Sequence, residues 1–291
     1  MASFQGKKIN PKRFHVSQLK FYIFLLPLAL FMVLPIIYIF STAFKPAEEL
    51  FKFPPSFFVV NPTWENFKSL FELMAGSSVP ATRYLFNSII VTVLTMVISI
   101  VLSVSAGYVL SKKKFRGQKL LFEINTLALM FVPIAVTIPR FIIIINLGLV
   151  DRFVANILPI IAQPVGLFLI KQFIDQVPDA LLEAARIDGA NEFDIIFKII
   201  IPAVRPAIAT VAIMSFQSAW GNVEASVYYL NNESLKTFAY YITTFSSSST
   251  SSSITQGVTA ASALIMFIPN LVIFIVMQSK VMDTMAHSGI K

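Results

Sequence analysis

The 291 residues include only two histidines, His15 and His287, and no cysteine. Both histidines stand in the terminal tails, where they can form neither an HExxH-type zinc site nor the base of a nucleophilic triad. The absence of thiols removes disulfides, thiolate metal sites and a cysteine nucleophile. Ser105 and Ser215 lie in apolar runs without a neighbouring base, and no G-x-x-x-x-G-K-[S/T] phosphate loop occurs. The expectation is a chain with no catalytic residue, no metal site and no cofactor of its own.

Two polar groupings remain that could do other work. The first is Gln217, Trp220, Asn222 and Glu224, four polar or aromatic residues beside a long apolar run. An indole stacks on the C–H face of a sugar, and amides and carboxylates pair with hydroxyls. The alternative is that Trp220 anchors at a membrane interface while the others bond between helices. Asn87 and Asn125 are further candidates for lining a cavity. Arg140 interrupts an apolar stretch, at a cost of about 2.5–3.5 kcal/mol at mid-membrane. It can line a route, pair with an acid, or extend its charge to the interface.

The second grouping is the stretch from Gln172 to Arg205. Asp175, Asp179, Glu183, Asp188, Glu192 and Asp194 place six of the fifteen acids of the chain within 20 residues. Pro178-Asp179 is a helix start, and Gly189 a natural residue just past a helix end. Asn191 with Asp194 three residues on sets a capping box for a second helix. The expected element is helix–glycine–helix over 179–190 and beyond, entering an apolar run at Pro202. Ala184 and Ala185 let another surface approach closely, and Glu183 offers it a charge. This segment can dock a partner or lie on the membrane surface.

Composition says what positions these groups. Of all residues, 56% are hydrophobic and only 13% charged, with a mean hydropathy of +0.75. Soluble domains carry roughly 25% charge, so lipid is the main solvent. Six windows suit a span of about 20 apolar residues: 21–44, 84–111, 124–150, 153–170, 206–223 and 254–279. None alternates as a membrane β-strand does, so the expectation is an all-α integral membrane protein with six transmembrane helices. The first run is too long for a cleaved signal peptide and reads as a signal-anchor. With the N-terminus inside, 16 of the 23 basic residues fall in inside segments, the positive-inside pattern. The formal +8 thus reports topology, and nucleic acid is not an expected partner. Pro27, Pro35, Pro133, Pro139, Pro159, Pro164 and Pro269 should kink or break spans. An outside loop at 45–82, rich in proline and aromatics, is expected to form short surface helices with Trp64 near the headgroups. The serine-rich run 246–253 is expected to be a flexible loop.

Glu183-Ala184-Ala185, Gly189, Ile199 and Ile201-Pro202 resemble the E-A-A, three, G, nine, I, one, L-P signature of permease subunits of ATP-binding-cassette importers. The only departure is Ile201 for leucine. Tyr84-Leu85-Phe86-Asn87-Ser88, Leu147-Gly148-Leu149-Val150-Asp151 and Trp220-Gly221-Asn222-Val223-Glu224 resemble the carbohydrate branch, particularly its maltose-permease-like second subunit. Ala225 replaces a usual aromatic, and Lys236-Thr237 lacks the proline that usually follows. The resemblance covers most of 83–284. It implies a type I (MetI-like) transmembrane domain and import of a sugar or oligosaccharide. It also implies four partners: a second permease, two cytoplasmic ATPases and an extracytoplasmic binding protein. ATP and Mg would bind the ATPases. Glu183, Ala184, Ala185, Gly189, Ile199 and Pro202 would couple this chain to them. Residues 1–20 and 285–291 would then be cytoplasmic tails, and 21–82 the first span with its outer loop. A permease for a non-sugar solute and a non-transporting scaffold or sensor are the alternatives.

Overall fold

A computed structural model describes residues 19–75, 79–248 and 253–288. Every regular element among them is helical. Three helices are long and apolar enough to cross a membrane, at Leu19–Ala43, Thr82–Lys112 and Gln256–Gln278. Three further spans are bent pairs, at Gln118–Ala128 with Pro133–Asn146, Phe153–Ile161 with Pro164–Asp175, and Glu192–Ala203 with Arg205–Tyr228. The bends are 112°, 46° and 84°. With each pair taken as one span, the six expected windows are all present.

In chain order the α-helices are α1 (Leu19–Ala43), α2 (Ala47–Leu50), α3 (Glu65–Ala75), α4 (Ala81–Lys112) and α5 (Gln118–Ala128). Next come α6 (Thr137–Asn146), α7 (Leu158–Ile161), α8 (Pro164–Asp175), α9 (Asp179–Ile187) and α10 (Glu192–Ile195). The last are α11 (Ile201–Ala203), α12 (Arg205–Trp220), α13 (Glu224–Tyr228), α14 (Phe238–Ser248) and α15 (Ser253–Ser288). The prolines divide into two kinds. Pro27, Pro35 and Pro269 lie inside unbroken helices, whereas Pro133, Pro159 and Pro164 each stand in the first turn of a new helical segment. Pro133 and Pro164 follow two of the breaks and Pro206 stands in the first turn after the third, because proline suits a first turn and opposes helix just before it.

The described residues fall into two compact units, one within Met1–Leu70 and Ser251–Leu264, the other within Phe71–Thr250 and Ile265–Lys291. Within the first, α1 is apolar and exposed from Phe21 to Phe40. The loop after it is tied by side chains. Asn66 donates to the carbonyls of Ala43 (2.9 Å) and Lys45 (2.7 Å), and Lys45 donates to the carbonyl of Ser56. Glu49 accepts from the amides of Val60 (3.0 Å) and Asn61 (2.7 Å), and these bonds hold its carboxyl below the usual range. Phe44, Trp64 and Phe67 cluster with ring centroids 4.9–5.3 Å apart. Short helices α2 and α3 do occupy the loop, and Trp64 is exposed.

In the second unit α4 packs on α8 and α12 through small residues. Ser88, Thr92, Thr95, Ser99 and Ser103 recur at helical spacing along α4 and are all buried. A β-carbon on Gly107 would stand 3.0 Å from Ile170, and one on Gly166 would stand 3.2 Å from both Ser103 and Val211. Such contacts replace hydrophobic drive as the source of helix association in lipid. Side chains answer the groups freed at breaks. Ser99 donates to the carbonyl of Ile161 (2.9 Å), and Asn125 to that of Pro164 (3.1 Å). Part of the serine-rich run is helix instead of loop, since α14 continues to Ser248. Residues 249–252 and both terminal tails (1–18 and 289–291) lie outside the described residues.

Candidate functional site

Two places in the second unit stand out for their polar side chains. One is the stretch from Asp175 to Pro202. Helix α9 starts at Asp179 behind Pro178, as the sequence predicts, and closes at Gly189 with φ +84°. The amide of Gly189 donates to Arg186 and that of Ala190 to Ala185, the paired bonds of a Schellman ending. Asn191 and Asp194 form the expected capping box at α10. One π-helical turn, Ile196–Ile200, then leads into α11, and the chain bends after Pro202 into α12.

This stretch is bound to the C-terminal end of α4 by charge. Glu192 accepts from the Tyr108 hydroxyl (2.6 Å) and Lys113 Nζ (2.6 Å), with Arg186 3.6 Å away. Lys112 donates to Asp179 (2.7 Å) and to the carbonyl of Val177 (2.6 Å). Asp175 accepts from Ser111 (2.5 Å) and Lys171 (2.7 Å). The hydrogen bond from Lys112 holds the Asp179 carboxyl below its usual range. Leu182, Ile195 and Ile200 bury into the core with Tyr108, Ile170 and Val211, and Ile199 packs against that core. The outer surface is different: Leu181, Ile187, Phe193 and Phe197 are exposed, Ile187 at 87% and Phe193 at 74%. Glu183 and Ala184 are exposed beside them, Ala185 is half-buried, and among the described residues no ion pair engages Glu183.

The other place is a cleft of about 590 Å³. Two bent spans contribute their breaks to it, Pro133 from one and Ala162–Pro164 from the other, and the end of α12 completes it. Among the described residues its charged ones are Arg140 and Glu224. Arg140 Nη1 lies 2.9 Å and 3.2 Å from the two carboxylate oxygens, and the Tyr229 hydroxyl donates to the same carboxylate at 3.0 Å. The loop behind them is fixed by Asp151, which adopts φ +58°, a conformation its short polar side chain tolerates. Its carboxylate accepts from the amides of Asn231 (3.0 Å) and Asn232 (2.7 Å), and its own amide donates to Tyr229 (2.8 Å). Gln163 also lines the cleft, and its amide oxygen is buried without a hydrogen-bond partner among the described residues.

The sequence candidates therefore separate. Asn222 and Glu224 line the cleft. Gln217 is exposed and outside its lining. Trp220 is buried, stacks on Phe216 and donates to the carbonyl of Met266 (3.0 Å). Asn87 is buried and donates to the carbonyls of Ser234 (2.8 Å) and Lys236 (2.9 Å), pinning an irregular segment to α4. Asn125 is held by Pro164, as described above, and lines a smaller pocket. Of the three roles open to Arg140, the structure gives both the acid pair and a place in the cleft wall. Gln163 was invisible in the sequence; its only signal is its position just before Pro164. Among the described residues no group of His, Asp and Glu could hold a metal ion.

Residues 99–279 match the family described as "Binding-protein-dependent transport system inner membrane component". The chain belongs to this family. It is 30% identical over 211 residues to the arabinooligosaccharides transport system permease protein of Bacillus subtilis, covering 72% of this chain and 74% of that one. It is also 30% identical over 265 residues to the trehalose transport system permease protein of Mycobacterium tuberculosis, covering 90% and 93%. A bacterial ABC transporter involved in the import of the acidic polysaccharide alginate superposes with a TM-score of 0.77 at 23% identity, over 93% of this chain and 99% of that one. That superposition establishes the fold. This multi-pass membrane chain is thus a permease component, a class that works with an ATPase and a binding protein.

Proposed function

We propose that the chain is one of two permease subunits in an ATP-driven importer of a sugar or oligosaccharide. An extracytoplasmic binding protein delivers the solute, and two cytoplasmic ATPases supply the motion. Both termini are cytoplasmic in this reading, as the distribution of basic residues supports. ATP and Mg bind the ATPases, and this chain holds no cofactor. The saccharides named for the relatives above support the substrate class.

The observation that carries the reading is the two-sided character of α9 and its surroundings. One side is buried and ion-paired to α4, while the other exposes Leu181, Ile187 and Phe193 to a partner. An apolar face of this kind, beside the unpaired Glu183, suits a groove on an ATPase better than an anionic lipid surface, which favours basic faces. Glu183, Ala184, Ala185 and Gly189 form the contact. Ile199 and Pro202 pass its displacement into α12. At the other end, Asn222 and Glu224 border the solute route.

Screening the cognate binding protein against a sugar panel by thermal shift identifies the labelled solute for uptake. Hydrolysis by the reconstituted complex should then rise when loaded binding protein is added. Gly189→Pro removes the amide that bonds Arg186 and forbids φ +84°. This variant should insert in the membrane and abolish uptake; normal uptake sinks the lever reading.

A further inference from the structure

The cleft wall is mostly proline, aliphatic and methionine surface, including Pro133, Pro159 and Met214, with Asn222, Gln163 and Ser218 as its uncharged polar groups. Only one cation and one anion face it, and they neutralise each other. Both remain within reach of the cleft, with Arg140 26% and Glu224 31% exposed. Neither is a surface pair in free water, and neither is fully withdrawn from a solute.

This arrangement has consequences for what can occupy the space. A carboxylate entering the cleft needs Arg140, but Nη1 of that guanidinium already lies against both oxygens of Glu224. A solute carboxylate that takes the remaining N–H groups is drawn against the Glu224 carboxylate, and one that takes Nη1 leaves Glu224 unpaired nearby. A cationic solute meets the mirror problem at Glu224, which Arg140 and the Tyr229 hydroxyl already occupy. An uncharged polyol meets neither cost. Its hydroxyls can donate to Glu224 and pair with the Asn222 and Ser218 side chains, and its C–H faces can lie on the proline and methionine surface.

We infer that the Arg140–Glu224 pair is a charge filter, selecting uncharged saccharides over uronates and amino sugars in this cleft. The inference rests on the importer reading and narrows its substrate class. Specificity here comes from making the wrong solute's charge costly, and the neutral solute needs no special attraction.

The test uses the purified assembled complex, this chain with its partner permease and ATPases, in lipid nanodiscs without binding protein. Saturation-transfer NMR titrations give dissociation constants for maltotriose and for trigalacturonate, probes of equal length that differ in charge. Wild type should bind trigalacturonate at least about tenfold more weakly than maltotriose. Glu224→Gln frees Arg140 and should reverse that order, while Arg140→Gln should weaken trigalacturonate further. Equal affinities in wild type, no binding of maltotriose, or an unchanged ratio in Glu224→Gln would each overturn the filter. The wild-type comparison needs no variant to fold, so the inference stays exposed to refutation even if a substitution disturbs assembly. Stimulation of hydrolysis by the binding protein is measured on the same preparation. Its absence counts against the importer reading, whereas its presence with equal affinities counts against the filter alone.

Discussion

The same kinds of side chain, a basic group and a glutamate, meet at both ends of the second unit and do different work. Around Glu192 the pairs are several and shared: Tyr108, Lys113 and Arg186 converge on one carboxylate, with Lys112–Asp179 and Lys171–Asp175 beside it. Around Glu224 there is one pair, in the wall of a cleft. A shared network resists the loss of any one member, so it suits a joint that must carry force. A lone pair facing a cavity responds to whatever enters, so it suits selection.

The sharpest way to break this contrast is at Glu192. Tyr108 is 2% exposed, and among the described residues its hydroxyl has, apart from Glu192, only Arg186, at 3.4 Å. Glu192→Ala leaves that buried hydroxyl short of a partner, a loss of about 1–3 kcal/mol. Thermal unfolding in nanodiscs should show it directly. Adding Tyr108→Phe removes the stranded group, so the double variant should be more stable than Glu192→Ala alone. If the two changes simply add, the hydroxyl is not what Glu192 serves. Uptake per ATP hydrolysed should fall in Glu192→Ala if the network carries the stroke from α9 to α4.

At the cleft the order of effects should invert. Arg140 and Glu224 are each about a quarter to a third exposed, so water can serve either one left alone. Glu224→Gln, which keeps an oxygen for the buried Tyr229 hydroxyl, should therefore cost about 1 kcal/mol or less, below Glu192→Ala, while changing solute preference more. Equal destabilisation by the two substitutions would erase the distinction between joint and filter.

The two regions also differ in how far the sequence reveals them. Pro178, Gly189, Asn191 and Asp194 act on backbone within a few residues of themselves, so α9, its ending and the capping box were readable in advance. So were the six apolar windows, because span length depends only on local composition. The sequence does not show that Lys112 and Lys113, one turn-end about 70–80 residues upstream, supply the partners of Asp179 and Glu192. The cleft was harder still. It gathers Pro133, Gln163 and Glu224 from three separate helix ends, and none of these carries a local pattern that names the others. Trp220 and Asn87 show how little residue type says about placement. Their types suited a sugar site, yet tertiary packing uses the indole N–H and the amide to satisfy backbone carbonyls of Met266, Ser234 and Lys236.

The smallest effect expected concerns Asp179, whose carboxylate lies at the solvent side of the joint, paired with a largely buried Lys112 (side chains 74% and 7% exposed). The hydrogen bond from Lys112 lowers the Asp179 pKa in the folded protein. A depressed carboxylate pKa contributes stability that is fully present above the unfolded value, about 3.9 for Asp, and is lost as pH falls through the folded value. At neutral pH, therefore, the link is intact. Asp179→Asn should change the midpoint there only slightly, because exposure lets solvent screen the pair. Lys112 keeps the Val177 carbonyl as a second acceptor, which limits the loss further. The diagnostic signal is on the acid side, where Asp179→Asn should flatten the fall in thermal midpoint below about pH 4 relative to wild type. An identical acid profile in both proteins would mean that the Lys112–Asp179 contact carries no part of the joint, leaving Glu192 as its centre.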